Sequence, residues 1–207
     1  MTARRFRSVA LLASAVVVVA AGCIPPRPSP SPAVPPPTEA PTASAAVTAS
    51  PAEGVIVDPA LLAILPDAID GIPVTPDLES ANEIAAEGLI APFVSAIALA
   101  TAFGPVASSG LGDYVVVTVA RLRPGTFSDL FFRGWRDTFD AGVCEGAGGV
   151  ESGNAETDIA GHRTFVGTCV GGVHTYHLHL PTNDVIVSMQ GLGQARLGER
   201  IVAGITE

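Results

Sequence analysis

Four histidines lie in the last third of the chain, and imidazole is the side chain that most often binds a transition metal. On a strand, residues two apart share a face and lie about 6.6 Å apart, so His177 and His179 can converge on one ion, whereas His174 has the opposite parity. A catalytic zinc needs at least three protein ligands, and His162 or Asp184 would have to supply the third. The histidines predict either a metal site formed by His177, His179 and His162, or imidazoles on a solvated sheet face.

The spacing Gly171-x5-His177-x-His179-x4-Asp184-x6-Gly191 resembles the first motif of cupin barrels, with Asp where Glu is usual. That resemblance implies a metal-binding barrel. However, no histidine follows His179 to supply a second motif, and the first half of the chain has a helix-rich pattern. A metal-dependent enzyme or metal-binding protein is therefore the alternative interpretation of this sequence and not the leading one.

Nucleophilic chemistry finds less support. The sequence has no Gly-x-Ser-x-Gly motif, and Ser-x-x-Lys cannot occur because the chain has no lysine. Glu151, Glu156 and Asp158 lie in a polar segment that predicts a solvated loop. The glycine-rich stretch 146–149 follows a predicted helix, so it lacks the strand-loop-helix setting of a phosphate-binding loop. The sequence favours a non-enzymatic domain and predicts no cofactor.

The N-terminus has the pattern of an export signal. A positive segment with Arg4, Arg5 and Arg7 precedes the apolar run 9–21, which is too short to span a membrane. The run ends in Ala-Ala-Gly-Cys23, which resembles the lipobox of bacterial lipoproteins, with Ala20 where Leu is commoner. We therefore expect residues 1–22 to be a signal peptide and Cys23 to carry lipid at the outer face of the cytoplasmic membrane. The alternative is an ordinary secretory signal with an incidental cysteine.

Export would place the two remaining cysteines, Cys144 and Cys169, in an oxidising compartment, where each has only the other as an intramolecular partner. A disulfide between them would stabilise the fold by about 3 to 4 kcal/mol on the chain-entropy model. The alternative is two buried free thiols. We expect the disulfide, with the end of a helix lying over the end of a strand.

Residues 23–53 contain ten prolines among Ser, Thr and Ala, a composition that cannot form a core and favours polyproline II or disorder. At about 3.1 Å per residue such a stalk could reach roughly 90 Å. The remaining residues, 54–207, have the length of one domain. They contain 7 Arg and 18 Asp plus Glu, so 7 minus 18 gives a formal charge of -11. This charge makes nucleic acid an improbable partner.

Hydrophobic periodicity predicts an α+β domain: an antiparallel sheet of about four strands with helices packed on one face. A capping box is expected at Thr126 and Asp129, and opposite charges four residues apart follow it along the helix. The same helix carries an aromatic stripe that predicts a core-facing side, namely Phe127, Phe131, Trp135 and Phe139. The predicted helices are 78–103 with breaks at Gly88 and Pro92, 126–140 and 194–203, and the predicted strands are 114–121, 163–169, 174–180 and 185–190.

Three segments resemble recurring signatures of small exported lipoproteins of high-GC Gram-positive bacteria, a family without an assigned function. They are 65–74 (LPDAIDGIPV), 160–166 (AGHRTFV) and 183–188 (NDVIVS). The resemblance implies a small α+β domain of unknown function and transfers no catalytic residue. The expected function is a non-enzymatic binding or interaction domain, held at the membrane through lipid on Cys23, with an unknown envelope protein, glycan or small ligand as its partner.

Overall fold

The computed structural model describes residues 54–105 and 112–207. The signal peptide, Cys23 as a lipidation site and the stalk at 23–53, all expected from the sequence, lie outside these ranges. The elements, in chain order, are β1 (Ile56–Val57), a 3₁₀ helix (Pro59–Ile64), β2 (Ala68–Ile69), β3 (Ile72–Pro73), β4 (Thr75–Pro76), α1 (Leu78–Glu87), β5 (Val94–Phe103), β6 (Tyr114–Leu122), α2 (Asp129–Gly146), β7 (Glu151–Ile159), β8 (His162–Cys169), β9 (Val173–Leu180), β10 (Val185–Leu192) and α3 (Leu197–Gly204).

The domain is α+β and is built on one mixed sheet of eight strands, in the order β1-β5-β6-β10-β9-β8-β7, with β4 also paired to β5. β1 runs parallel to β5, and the other pairings are antiparallel. After β6 the chain crosses the sheet through α2 to the far edge, and β7 to β10 then return as a meander that ends beside β6. A second, two-stranded sheet is formed by β2 and β3. The prediction of about four strands was too low.

One face of the main sheet packs against the 3₁₀ helix and α3. Leu61 and Leu65 from the 3₁₀ helix, and Ile201 from α3, belong to the same buried cluster as the inward residues of β5, β6, β9 and β10. Helix α3 approaches β9 closely at Gly198, where only glycine fits because a Cβ would overlap the ring of Tyr176. We name this side of the sheet the α3 face.

The other side, which we name the α2 face, is covered by α1 and α2. Ala81 of α1 packs on Ile97 and Leu99 of β5, and Phe132 of α2 packs in a cluster with Ile186 of β10. Helices therefore lie on both faces, and the prediction that they pack on one face was wrong. A sheet buried on both sides needs an apolar cover on each, and α2 and α3 provide one each.

The predicted second helix before Phe103 is in fact strand β5. Its alanines, among them Ala98 and Ala100, favour helix when taken singly. Nearly all of β5 is buried, because both sides of the strand are covered, and so the alternation that identifies a half-buried strand is absent. The small side chains allow the 3₁₀ helix to approach the sheet closely. The first predicted helix is confirmed as α1, which ends at Gly88 in the left-handed region.

The polar segment predicted as a loop is also a strand, β7, which lies at the edge of the sheet. All of its residues are exposed except the partly buried Ile159, so its sequence has no buried face to indicate it. The predicted β6, β8, β9 and β10 are confirmed, as is a final helix, α3.

Helix α2 begins and ends later than predicted. The backbone N–H of Phe131 donates to the side chain of Ser128, which is therefore the N-cap in place of Thr126. The helix continues to Gly146, so Cys144 lies in its last turns and not beyond its end. Cys144 forms the expected disulfide with Cys169 at the end of β8, at a Cα separation of 5.2 Å. Of the helices in the described ranges, none has the length and apolarity that crossing a bilayer demands.

Candidate binding site

An open apolar groove runs along the α2 face between α1 and α2. Its volume is about 590 Å³, within the range of about 300 to 1,000 Å³ that is usual for small-molecule sites. Ile97 and Thr118 from the sheet line it. Three large apolar side chains at the groove are exposed to solvent: Leu89 by 78 %, Phe93 by 44 % and Leu130 by 79 %. The remaining lining residues are Ile84, Ile90, Phe131, Gly134, Trp135, Thr138 and Phe139.

The aromatic stripe of α2 forms one wall of this groove. Phe131, Trp135 and Phe139 are each partly buried, and Phe131 and Trp135 pack against the core cluster that contains Phe132 and Ile186. The stripe therefore faces the core as predicted, and it also borders the groove. A second line of α2, spaced by four residues, is directed at the sheet and contains two polar groups: Phe132, Arg136, Asp140 and Cys144. Of these, Phe132, Asp140 and Cys144 are buried. Helix α2 therefore has an aromatic flank along the groove and a mixed, largely buried side against β8 and β9.

A chain of hydrogen bonds lies beneath α2. It runs from Trp135 to Ser188, at 2.9 Å between Nε1 and Oγ, and from Ser188 to Nδ1 of His177 at 3.0 Å. It continues from Nε2 of His177 to Oδ1 of Asp140 at 2.8 Å. Ser188 and His177 are 0 % and 1 % exposed and Asp140 is 6 % exposed. The ring of Phe139 meets that of His177 edge to face, with centroids 5.1 Å apart.

One assignment of donors and acceptors gives every group in this chain a partner. The indole N–H of Trp135 is a donor, so Ser188 accepts from it and has its own proton available for Nδ1 of His177. Nε2 of His177 then carries a proton, which it donates to Asp140. Each buried polar group in the chain thus has a partner, which is the condition for placing such groups under a helix at low cost.

The carboxylate at the end of the chain is favoured in its ionised form. Burial alone would raise the pKa of Asp140, but the interaction with His177, with smaller contributions from Thr175 and then from the charge of Arg136, outweighs it and holds that pKa below its ordinary value. Asp140 is therefore charged at neutral pH.

Serine, histidine and aspartate in a row suggest a nucleophile with its base, but the geometry opposes this role. Ser188 is completely buried, and its oxygen already accepts from Trp135. A serine nucleophile needs an exposed oxygen next to a site for the reacting carbonyl. We interpret the row as structural support for α2.

The histidines proposed as metal ligands are held apart by other contacts. Both ring nitrogens of His177 are engaged, so it is neither solvated nor available to an ion. His179 shares its face but contacts Asp184 at 3.2 Å and stacks on Phe127, while His174 lies on the α3 face, where burial lowers its pKa. His162, at the start of β8, is partly buried. Within residues 54–105 and 112–207, no three His, Cys, Asp or Glu side chains converge as ligands of a metal would.

Sequence reasoning missed Asp140 as the partner of His177 and missed Arg136 on the same sheet-facing line of α2. A signal was present, since Phe132 and Cys144 are spaced by four with these two residues and so place them on a buried side of the helix. A carboxylate at such a position needs a partner. No sequence pattern indicates the groove, because its width depends on the distance between α1 and α2 across the sheet.

Comparison with known proteins finds no family model, no curated protein sequence and no solved structure that matches this chain. The function of the protein is therefore inferred from the geometry of the groove and from the sequence.

Proposed function

We propose that this chain is a lipid-anchored binding protein of the bacterial cell envelope, and that its ligand is the hydrocarbon chain of a lipid held in the groove between α1 and α2. The observation that carries the proposal is the groove itself. It leaves Leu89, Phe93 and Leu130 exposed around an apolar trough of about 590 Å³. Apolar surface left in water costs about 25 cal/mol per Å², and an open, contiguous patch of this kind marks a binding surface.

A lipid chain is favoured over other occupants by where the tether joins the domain. Val55, near the start of the described residues, packs in two clusters that both include Ile90, and Ile90 also lines the groove. The first described residues of the domain therefore lie near the groove. If Cys23 carries lipid as its motif indicates, the groove is tethered within reach of a membrane. The strongly acidic domain favours an uncharged or zwitterionic lipid, because an anionic one would be repelled.

Binding can be measured with the single tryptophan of the chain. Trp135 lies in the groove wall, so the neutral probe N-phenyl-1-naphthylamine should accept its excitation energy when it is bound there. We expect saturable energy transfer with the chain from residue 23 onward, and loss of transfer when a phosphatidylcholine competes for the groove. Absence of saturable transfer would contradict the proposal.

A matched pair of glycine variants separates the groove from general hydrophobicity. No atom lies within 4 Å of a Cβ placed at Gly134, which lines the groove, or at Gly142, which is exposed elsewhere on α2. Gly134→Leu should fill the groove and weaken probe binding by at least about tenfold. Gly142→Leu adds the same side chain to the same helix and should bind as the unmodified chain does. Equal binding by both variants would remove the groove from the proposal.

The anchor has its own test. Cells that express the full chain are given a radioactive fatty acid, and we expect label on the protein but none on Cys23→Ala. An unlabelled wild-type protein would refute the anchor while leaving the groove measurement intact.

A further inference from the structure

A second cleft lies on the opposite side of α2 from the groove. Two cavities of about 270 and 420 Å³ open there between α2 and β8. Arg133, Arg136 and Phe165 line both of them. Seven arginines are the only cationic side chains, other than histidine, in residues 54–207, and three of the seven, Arg133, Arg136 and Arg163, line this cleft.

Arg133 and Arg136 differ from the others in their partners. Arg121, Arg163, Arg196 and Arg200 each form an ion pair with a carboxylate. In the part of the chain that the structure describes, no ion pair includes Arg133 or Arg136. Their guanidinium groups therefore remain available to a bound molecule.

Arg136 is held in place but has an unfilled donor. Its Cζ lies 3.9 Å from the centroid of the Phe165 ring, a stacking contact that fixes the plane of the guanidinium group. Its Nε is buried and has no hydrogen-bond acceptor among the described residues. A buried donor without an acceptor costs about 1 to 3 kcal/mol, and an oriented guanidinium matches the two oxygens of a carboxylate.

The charges around the smaller cavity decide what kind of carboxylate fits. Arg133 and Arg136 are balanced there by Asp137 and Asp140, and the domain as a whole has a formal charge of -11. A simple anion would meet the two aspartates and the field of the domain. A molecule with both a carboxylate and an ammonium group has no net charge and can pair each of its groups.

We propose that this cleft binds a small zwitterion of the α-amino acid type. The carboxylate accepts from the Nη groups of Arg133 and Arg136, the ammonium group lies towards Asp137 and Asp140, and the aliphatic side chain extends into the larger cavity, which Phe132 and Phe165 line. The site does not depend on the proposed function, because it lies on the other side of α2 and none of its lining residues also lines the groove.

Three related probes test the two charges separately. L-Leucine carries both groups, 4-methylpentanoate lacks the ammonium group and 3-methylbutylamine lacks the carboxylate. Titration calorimetry with the chain from residue 23 onward should show saturable binding of L-leucine, with each of the other two weaker by at least about tenfold. Equal binding of 4-methylpentanoate would indicate a simple anion site and overturn the proposal, as would absence of L-leucine binding.

Variants then test the geometry. Arg136→Lys keeps the charge but loses the planar fork, and it should weaken L-leucine binding by about tenfold while leaving the affinity for 3-methylbutylamine unchanged. Arg121→Lys, on the opposite part of the sheet, is the matched control and should bind as the unmodified chain does. If Arg136→Lys melts at a lower temperature, Asp137→Asn gives a second reading, because this exposed position should lose L-leucine binding without loss of fold. L-Leucine binding unaffected by both substitutions would overturn the assignment, and Gly134→Leu, which blocks only the groove, should leave L-leucine binding unchanged.

Discussion

The two sides of helix α2 differ in the kind of side chain that they bury. Towards α1, the helix leaves aromatic side chains partly in solvent along an apolar groove. Towards β8, it buries Asp140 and His177 and gives each a hydrogen-bond partner. Exposed apolar surface costs a modest free energy per unit area. A buried polar group without a hydrogen-bond partner costs about 1 to 3 kcal/mol. The groove side should therefore tolerate substitution, and the cleft side should not.

The largest effect is expected where a covalent bond holds α2 to the cleft side. Replacing Cys144 and Cys169 together by Ala should lower the free energy of unfolding by about 3 to 4 kcal/mol, since the disulfide closes a loop of 25 residues. Urea unfolding of the oxidised chain and of the double variant, both without reductant, measures this difference. A loss below about 1 kcal/mol would show that packing alone holds the helix end.

Next in size is the carboxylate under the helix. Asp140→Ala should cost about 3 kcal/mol, because it removes a charged acceptor and leaves Nε2 of His177 unpaired. Glu145→Ala, at an exposed position of the same helix, serves as the control and should remain within about 0.5 kcal/mol of the parent. Equal effects of the two substitutions would erase the contrast between the two sides.

The same carboxylate gives a pH dependence of known sign. The pKa of Asp140 is lowered on folding, so its contribution is complete above the unfolded value of about 3.9 and is lost as the pH falls through the folded value. Asp140→Asn should therefore lose less stability than the parent between about pH 5 and pH 2. Glu145→Gln should keep the parent's slope, and a parent and Asp140→Asn with identical slopes would contradict the lowered pKa.

A smaller loss is expected at the centre of the hydrogen-bonded chain. Ser188→Ala leaves the indole N–H of Trp135 and Nδ1 of His177 without partners, at a cost of about 2 kcal/mol. Tryptophan emission should change as well, because the indole loses its acceptor. Unchanged emission together with unchanged stability would mean that water replaces the hydroxyl.

The smallest effect, of opposite sign, belongs to the groove side. Gly134→Ala adds a methyl group where no atom lies within 4 Å and should stabilise α2 by about 0.5 to 1 kcal/mol through helix propensity alone. A destabilised variant would show that the groove is more closely packed around Gly134.

Much of the sheet was predictable, because apolar and more polar residues alternate along strands such as β9, although both sides of that strand are mostly buried. The failures have physical causes. β5 is covered on both sides, so nearly all of its residues are buried and apolar. β7 is covered on neither side, so nearly all of its residues are exposed. Neither strand alternates between buried and exposed residues. Period-two patterning identifies strands whose two faces differ in polarity, whereas the faces of β5 are both largely apolar and those of β7 are both largely polar.

The candidate sites were harder to predict than the fold. His177 was identified from its type, but its partner Asp140 lies 37 residues earlier on a different element. The disulfide was predicted because cysteines have few possible partners. A histidine has many, and the choice among them is made by the packing of α2 on the sheet, which no local pattern encodes.

The edge strand β7 has a further consequence, for the behaviour of many copies together. A free edge is a template on which another molecule's strand can add. In β7 that edge carries Glu151, Glu156 and Asp158, all exposed, so two copies that approach edge to edge at neutral pH bring like charges together. We therefore expect these carboxylates, which also hid the strand from its sequence pattern, to oppose edge-to-edge self-association.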